Sequence, residues 1–375
     1  MKNFNVKVTL FEPIINSPDM ILGEYKSIVC ENWVGSYFVS WGWIQAWLTE
    51  LPNSCNVYVV TIFNSEGPVA FFFMGLVTVT RGKLFKVKQL LLNASGHTEY
   101  DKIWIEYNRI LCAPGANVAL STILKEIPLR WEEFCLPGLD FTAFPGNIVT
   151  DISLPYKFIN DVFAPSPYVD LKKVRQAGVD YLSLLSSNTR SQIRRSFRIL
   201  EKVGTVELEV PDGLEHAFEI YGEMVDLHQA TWKARGQAGV FSSQLFCRFH
   251  ERLIRNRFDK GEIQLMRIHA GGDTIGCLYS FLWQGCIYFY QCGFNYSFGK
   301  KVQPGLVSHV MAVQYNAKQG HDVYDFLAGD DRYKRSLATD YNKMVWGRIQ
   351  KLSWKLKIEE KLRGLFERFR NNKTD

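Results

Sequence analysis

The alternation of apolar and polar positions repeats one plan along the chain. In the first half, "FVSWGWIQAWLTE" (38–50) predicts a helix anchored by Trp41, Trp43 and Trp47. Three strand-like runs follow: "NVYVVTIF", a turn at Asn64–Pro68, "VAFFFMGLVTV" and "LFKVKQLLLN". In the second half, "HAFEIYGEMVDLHQATWKARG" (216–236) predicts a helix, and the runs 263–269, 274–283 and 286–294 predict a second three-stranded antiparallel meander. Apolar residues at 306, 310, 313 and 317 then predict a helix with Pro304 in its first turn and Gly320 just past its end. A strand over 323–329 closes the pattern. Pro165 and Pro167, within "FINDVFAPSPYVDL" (158–171), predict an interruption between the halves.

This order gives an α+β (mixed α/β) class and two domains, 1–160 and 165–350, with a basic amphipathic tail at 351–375. A chain of 375 residues is long enough for two cores. In the tail, "SWKLKI" alternates as a strand, and Ile358, Leu362, Leu365 and Phe369 share one helical face. That face is expected to dock on the protein's own surface, with a membrane-surface or partner contact through its basic flank as the alternative.

Composition narrows the class. Apolar residues make up 47% and aromatics 14%, which excludes a disordered chain. The net charge of +6 is concentrated in two places, 187–203 and the tail. Eight cysteines form no C-x-x-C pair and have no histidine at metal spacing, so free, buried thiols in a reducing compartment are expected and no metal. The N-terminus lacks the apolar core of a signal peptide, and the longest apolar run, 69–79, is too short for a membrane helix. A cytoplasmic protein is the expectation. There is no HExxH or GxSxG motif and no catalytic-cysteine signature, which removes weight from those hydrolases and from metalloenzymes.

Four arginines crowd into "SSNTRSQIRRSFRILEKVG" (186–204). Ser187 or Asn188 can cap a helix there, with Ile193, Phe197 and Leu200 as its buried stripe. Arg190, Arg194 and Arg198 form a second stripe beside it, and Arg195 lies further towards solvent. Three readings compete: a solvated face with ion pairs, a site for a phosphate- or carboxylate-bearing substrate, and nucleic-acid binding. The last is the weakest, because one short helix lacks a wider basic surface and stacking aromatics, so no nucleic-acid partner is expected.

Three further clusters could carry chemistry. "VYDFLAGDDRYKRSLAT" (323–339) sets Asp325, Asp330, Tyr333 and Lys334 after a strand, where Asp or Tyr could move protons and Lys could stabilise an oxyanion. A charged turn with local salt bridges is the alternative. "LHQATWKARGQAGVF" (227–241) offers His228, Trp232 and Arg235, with His228 and Trp232 on one helix face. A satisfied structural histidine is the plainer reading. "QCGFNYSFGKKVQPGL" (291–306) leads from a strand through Lys300 and Lys301 into a helix N-terminus, a geometry that suits phosphates or merely connects two elements.

Taken in their order along the chain, these four blocks resemble the GNAT-type acetyltransferases of the CelD-like (cellulose and exopolysaccharide biosynthesis) family, related to the Fem-type peptidyltransferases. The resemblance is good over about 180–345 and looser before it. It implies a GNAT fold, with two in tandem of which the first can be degenerate, that transfers an acyl group, most often acetyl, from acyl-CoA to an amine or hydroxyl. The acceptor class it implies is a polysaccharide, cell-envelope or amino-sugar/amino-acid-type molecule. It further implies that a splayed strand, here Cys286–Gly293, holds the pantetheine through Tyr290, Cys292 and Gly293. The pyrophosphate would lie at Pro304–Gly305, helped by Lys300 and Lys301. His228, Asp325 and Asp330 become candidate bases, and Tyr333 and Lys334 candidate oxyanion donors. Arg190, Arg194, Arg198, Trp232 and Arg235 are expected to meet an anionic acceptor. One departure stands: neither half has the Q/R-x-x-G-x-G/A phosphate loop of ordinary GNAT enzymes. Aminoacyl-tRNA-dependent peptidyl transfer and a non-catalytic GNAT-fold binding protein are the alternatives.

Overall fold

A computed structural model describes residues 4–11, 18–29, 34–82, 84–103, 105–116, 118–140, 155–176 and 180–359. The chain opens with β1 (Asn5–Phe11), α1 (Leu22–Ile28), α2 (Trp41–Glu50), β2 (Val57–Asn64), β3 (Gly67–Arg81) and β4 (Phe85–Leu92). Next come β5 (Leu111–Cys112), α3 (Leu120–Glu126), β6 (Glu133–Asp140), β7 (Tyr156–Asp170), α4 (Leu171–Gln176) and α5 (Ser187–Leu200). Then follow β8 (Val206–Glu209), α6 (Leu214–Ala234), α7 (Gln244–Arg257), β9 (Ile263–Ala270), β10 (Asp273–Trp283) and β11 (Cys286–Phe294). The series ends with α8 (Pro304–Lys318), β12 (Val323–Asp325), α9 (Arg332–Leu337) and β13 (Asp340–Lys351).

These elements form two compact units that are not simple halves of the chain. Unit 1 comprises Met1–Trp33, Leu51–Phe163 and Val345–Asp375; unit 2 comprises Val34–Glu50 and Ala164–Met344. The tryptophan helix α2, expected to begin the first meander, belongs instead to unit 2. There Trp43 packs edge-on against Phe249 of α7, and Glu50 accepts from Arg248 and Arg252 of the same helix. Pro165 and Pro167 do not interrupt regular structure either; both lie inside the 15-residue β7.

In unit 1, β1, β2, β3 and β4 pair antiparallel in sequence order, and β6 joins β4 in parallel. Val69–Met74 of β3 are all buried, so this strand is continuously apolar instead of alternating. In unit 2, β8, β9, β10 and β11 form the second meander. Beyond it β12 pairs parallel to β11, and β7 antiparallel to β12. One face of this sheet packs under α4, α5 and α8, through Val169, Leu171, Ile193, Leu200, Val310 and Val313. The other meets α6, α7 and α2 in a layer of rings around His250, whose neighbours include Phe246, Tyr279 and Tyr290.

Local chemistry sets the helix ends. Ser186, one residue before the predicted cap, accepts the Thr189 N–H and starts α5. Pro304 occupies the first turn of α8, as expected. In the tail, 354–359 is helical and not a strand: Ser353 accepts from the Leu356 N–H and overrides the period-two pattern. The rest of the predicted amphipathic face (Leu362, Leu365 and Phe369) lies outside the described residues. Among the described residues no helix is long and apolar enough to cross a membrane, and no group of His, Cys, Asp and Glu could hold a metal ion.

Candidate active site

The site begins where two parallel strands part. β11 and β12 pair for three residues only, Cys286–Val323, Ile287–Tyr324 and Tyr288–Asp325. Beyond them each strand follows its other neighbour. Phe289–Phe294 stays on β10, with the register slipping so that Tyr290 has no opposite residue. The chain after Asp325 stays on β7: Phe326 N–H donates to Pro167 O (3.0 Å) and Gly329 N–H to Pro165 O (3.0 Å). Neither proline can return a hydrogen bond, so the β7–β12 ladder becomes one-sided and β12 ends. The result is a wedge with 289–294 of β11 on one side and the turn 326–329 on the other.

α8 roofs one face of the wedge. His309, fully buried, packs its ring on Phe289 (4.5 Å), Phe326 (5.3 Å) and Tyr333 of α9 (5.6 Å, 13° between planes). Its Nδ1 lies 3.1 Å from Tyr324 Oη, and Nε2 has no hydrogen-bond partner among the described residues. Burial, reinforced by the Lys334 ammonium, lowers its pKa to about 3, so the ring is neutral. The sequence reading passed over His309; its signal was a lone polar residue within the apolar stripe 306, 310 and 313.

The other face is covered by α6. A Cβ on Gly293 would sit 2.3 Å from Met224 O and 3.0 Å from His228 N, so only glycine lets this helix lie directly on the splayed part of β11. His228 is buried, its ring edge-on to Phe241 (4.8 Å) and beside Trp232 (5.7 Å), and Nδ1 is 3.1 Å from Gln229 Oε1. Burial lowers its pKa as well, with the Gln229 contact opposing. Arg235 lies over the Trp232 ring at 5.6 Å, and its charge draws down a Tyr296 phenol that burial and Cys292 push up.

The remaining predicted residues of this region fall into four groups. Burial pushes the Cys292 thiol up to about 12 despite nearby Lys334, and burial with Cys292, Asp331 and Tyr296 raises the Tyr333 phenol well above its usual range. Asp325 and Lys334, both buried, are engaged with the turn between them. Asp330 is exposed and ion-paired to Arg335. Tyr290 faces the ring layer around His250, away from α8.

The arginine helix contacts the start of α8, since Ser196 Oγ accepts the Gln303 N–H (3.0 Å). Its buried positions are Thr189, Ile193, Ser196 and Leu200. Arg190 donates to Leu185 O (2.6 Å) and Ser183 O (3.4 Å), which ties the guanidinium to the turn before its own helix. Arg194, Arg195 and Arg198 are exposed, and among the described residues none of the four has a carboxylate partner. Lys300 and Lys301 are exposed in the short turn before Pro304–Gly305. Between α5, α8 and α9 lies a pocket of about 400 Å³, bordered by Asn188, Gln192, Leu306, Arg332 and Arg335. Arg332 and Arg335 were legible only as part of a charge run.

Residues 187–335 match the family model of the acetyltransferase (GNAT) domain. No curated protein matches the chain. Solved structures with a similar fold include FemX (10% identity, TM-score 0.58, covering 93% of this chain and 98% of that one). A conserved protein of unknown function from Bacteroides thetaiotaomicron is another (9%, TM-score 0.51, 94% and 100%). A third is the C-terminal domain of a putative lysylphosphatidylglycerol synthetase from Agrobacterium fabrum (8%, TM-score 0.50, 90% and 93%). At such identities the likeness establishes the fold, and it extends over both units. The family likeness is to the acetyltransferase (GNAT) domain and lies over residues 187–335.

Proposed function

We propose that unit 2 is an acyl-CoA-dependent N- or O-acyltransferase, most simply an acetyltransferase, acting by direct transfer on an amine or hydroxyl of a saccharide, cell-envelope or amino-sugar/amino-acid-type acceptor. The observation that carries the reading is the wedge: two parallel strands that part after three paired residues, beside a helix N-terminus. Pantetheine can complete the backbone hydrogen bonds of 289–294. The donor's phosphates then reach the first turn of α8 and the pocket bordered by Arg332 and Arg335, where partial positive charge and guanidinium groups favour them.

The acceptor enters from the α6 face. His228, neutral through burial, takes the proton as the acceptor N or O attacks the thioester carbonyl. Backbone N–H groups of the open edge stabilise the oxyanion. The C–S bond breaks and CoA leaves as the thiolate, to which the Tyr333 hydroxyl offers a hydrogen bond; His228 gives its proton to bulk water, from which the thiolate is protonated. With its pKa near 12, the Cys292 thiol is a poor nucleophile, which favours direct transfer over an acyl-cysteine intermediate.

Calorimetric titration with acetyl-CoA tests the reading. Binding of one equivalent per chain is expected, with a thermal stabilisation of about 2.7 kcal/mol at a hundredfold excess over Kd. No heat and no stabilisation with acetyl-CoA or longer acyl-CoAs would overturn it.

A further inference from the structure

The end of α6 holds one side chain in place beside His228. Past Ala234 the chain turns back through Gly236 and Gly239, both at φ +71°. Gly239 lies so close to Gln229 that a Cβ on it would sit 2.2 Å from Gln229 Oε1 and 3.2 Å from Trp232 Cβ. The same loop presents Ala238 O, which accepts from Gln229 Nε2 (2.9 Å), and brings Phe241 edge-on to the His228 ring. Two carbonyl oxygens repel, so the Gln229 amide has one orientation: nitrogen towards Ala238, oxygen towards His228. That oxygen lies 3.1 Å from His228 Nδ1 and can only accept. The proton of the neutral ring therefore sits on Nδ1, and Nε2 carries the lone pair. Nε2 makes no hydrogen bond among the described residues.

We infer that Gln229 is a positioning residue: it selects the Nδ1–H tautomer of His228 and so keeps the basic nitrogen at Nε2. The tautomer follows from these contacts alone. Its bearing on catalysis rests on the reading of His228 as the base that takes the acceptor's proton. In the other tautomer Nε2 carries a hydrogen and cannot take that proton. The plainer use of Gln229 is to tether the loop through Ala238 O, and the test separates the two.

Nitrogen-15 spectra of histidine-labelled protein at pH ~8, above the usual histidine range, read the tautomer with neither donor nor acceptor present. The resonances lost in His228→Gln identify the ring. A protonated, pyrrole-type shift is expected at Nδ1 and an unprotonated, pyridine-type shift at Nε2. In Gln229→Leu the Nε2–H form should gain about tenfold over the Nδ1–H form, the worth of one hydrogen bond. Its kcat should fall by about tenfold, with KM for both substrates unchanged. Gln229→Glu keeps an acceptor at Nδ1 and gives up the Ala238 contact. It should retain the Nδ1–H tautomer and a kcat within about threefold of wild type. A loop tether predicts instead that Q229L and Q229E lose activity alike, since both lack the donor to Ala238 O. That equality, an Nε2–H ring in the wild type, or an unchanged tautomer in Q229L overturns the inference. Should Q229L fail to fold, Gln229→Ala removes the same contacts with the best helix former and carries the same outcomes. Full activity in His228→Gln defeats the base reading alone, and the nitrogen shifts still decide the tautomer.

Discussion

Each unit contains a parallel strand pair that parts after three residues, and the two part differently. In unit 1, β4 and β6 pair at Gln89–Glu133, Leu90–Phe134 and Leu91–Cys135. The chain then folds back into the opening. Asn108 pairs with Leu139, donates its backbone N–H to Gly138 O (2.8 Å), and takes the place beside β6 that β4 has left. Its buried side-chain amide donates to Leu92 O (3.0 Å) and Pro137 O (2.9 Å) and accepts from Asn93 Nδ2 (2.8 Å). In unit 2 only a short turn separates β11 from α8, and the opening remains. The same sheet geometry thus yields a plug or a cleft according to the length and amides of one connection.

Breaking the comparison should have graded effects. His228→Gln, on the open side, should lower kcat by about 10²–10⁴ and leave acetyl-CoA affinity unchanged, measured by steady-state kinetics and calorimetry. Asn108→Ala, on the filled side, removes three buried hydrogen bonds. It should cost about 3 kcal/mol in denaturant unfolding, with acyl transfer by the folded protein unaffected.

Acid should separate the units. His250 and His309 in unit 2 are held neutral by burial, each with its pKa lowered to about 3, below that of the unfolded chain. Their stabilisation is present above pH ~6.5 and is lost as pH falls from there, by up to about 1.4 kcal/mol per pH unit for each group. In unit 1, burial raises Glu133, but Arg81, Gln89 and Gln350 together bring it below the usual carboxylate range. Its contribution is present above pH ~4.3 and lost only below that. Hydrogen exchange between pH 6.5 and 4.5 should therefore show unit 2 loosening first; equal loosening would remove the distinction. Tyr333→Phe should be mildest, about tenfold in kcat, because a thiolate leaves without much help.

The sequence made the repeating elements of unit 2 legible: β9–β11, α8 with Pro304, and the arginine helix all follow from local pattern. The wedge was not legible, because it depends on which strand faces β12. Pro165 and Pro167 read as a break, yet they act as the acceptors that draw Phe326 and Gly329 away from β11. Asp325 and Lys334 were found as chemically able groups, but spacing cannot tell a carboxylate aimed at substrate from one aimed at Leu327 N–H. The row Arg190, Arg194 and Arg198 looked uniform on a helical projection. In three dimensions Arg190 is tied to the turn before its own helix, whereas Arg194 and Arg198 are exposed. The tryptophan helix was recognised as a helix and placed in the wrong unit, since aromatic anchors do not name their partner.

The open edge of β11 has a second consequence. A strand that parts from its neighbour invites an extended polypeptide, including a segment of another molecule of the same protein. Here the run is only six residues long, kinked at Tyr290, flanked by Lys300 and Lys301, and confined between α8 and α6. Those features keep the edge receptive to a slender ligand and refuse a full strand, so the site that would hold the donor is protected from β-sheet self-association by its own dimensions.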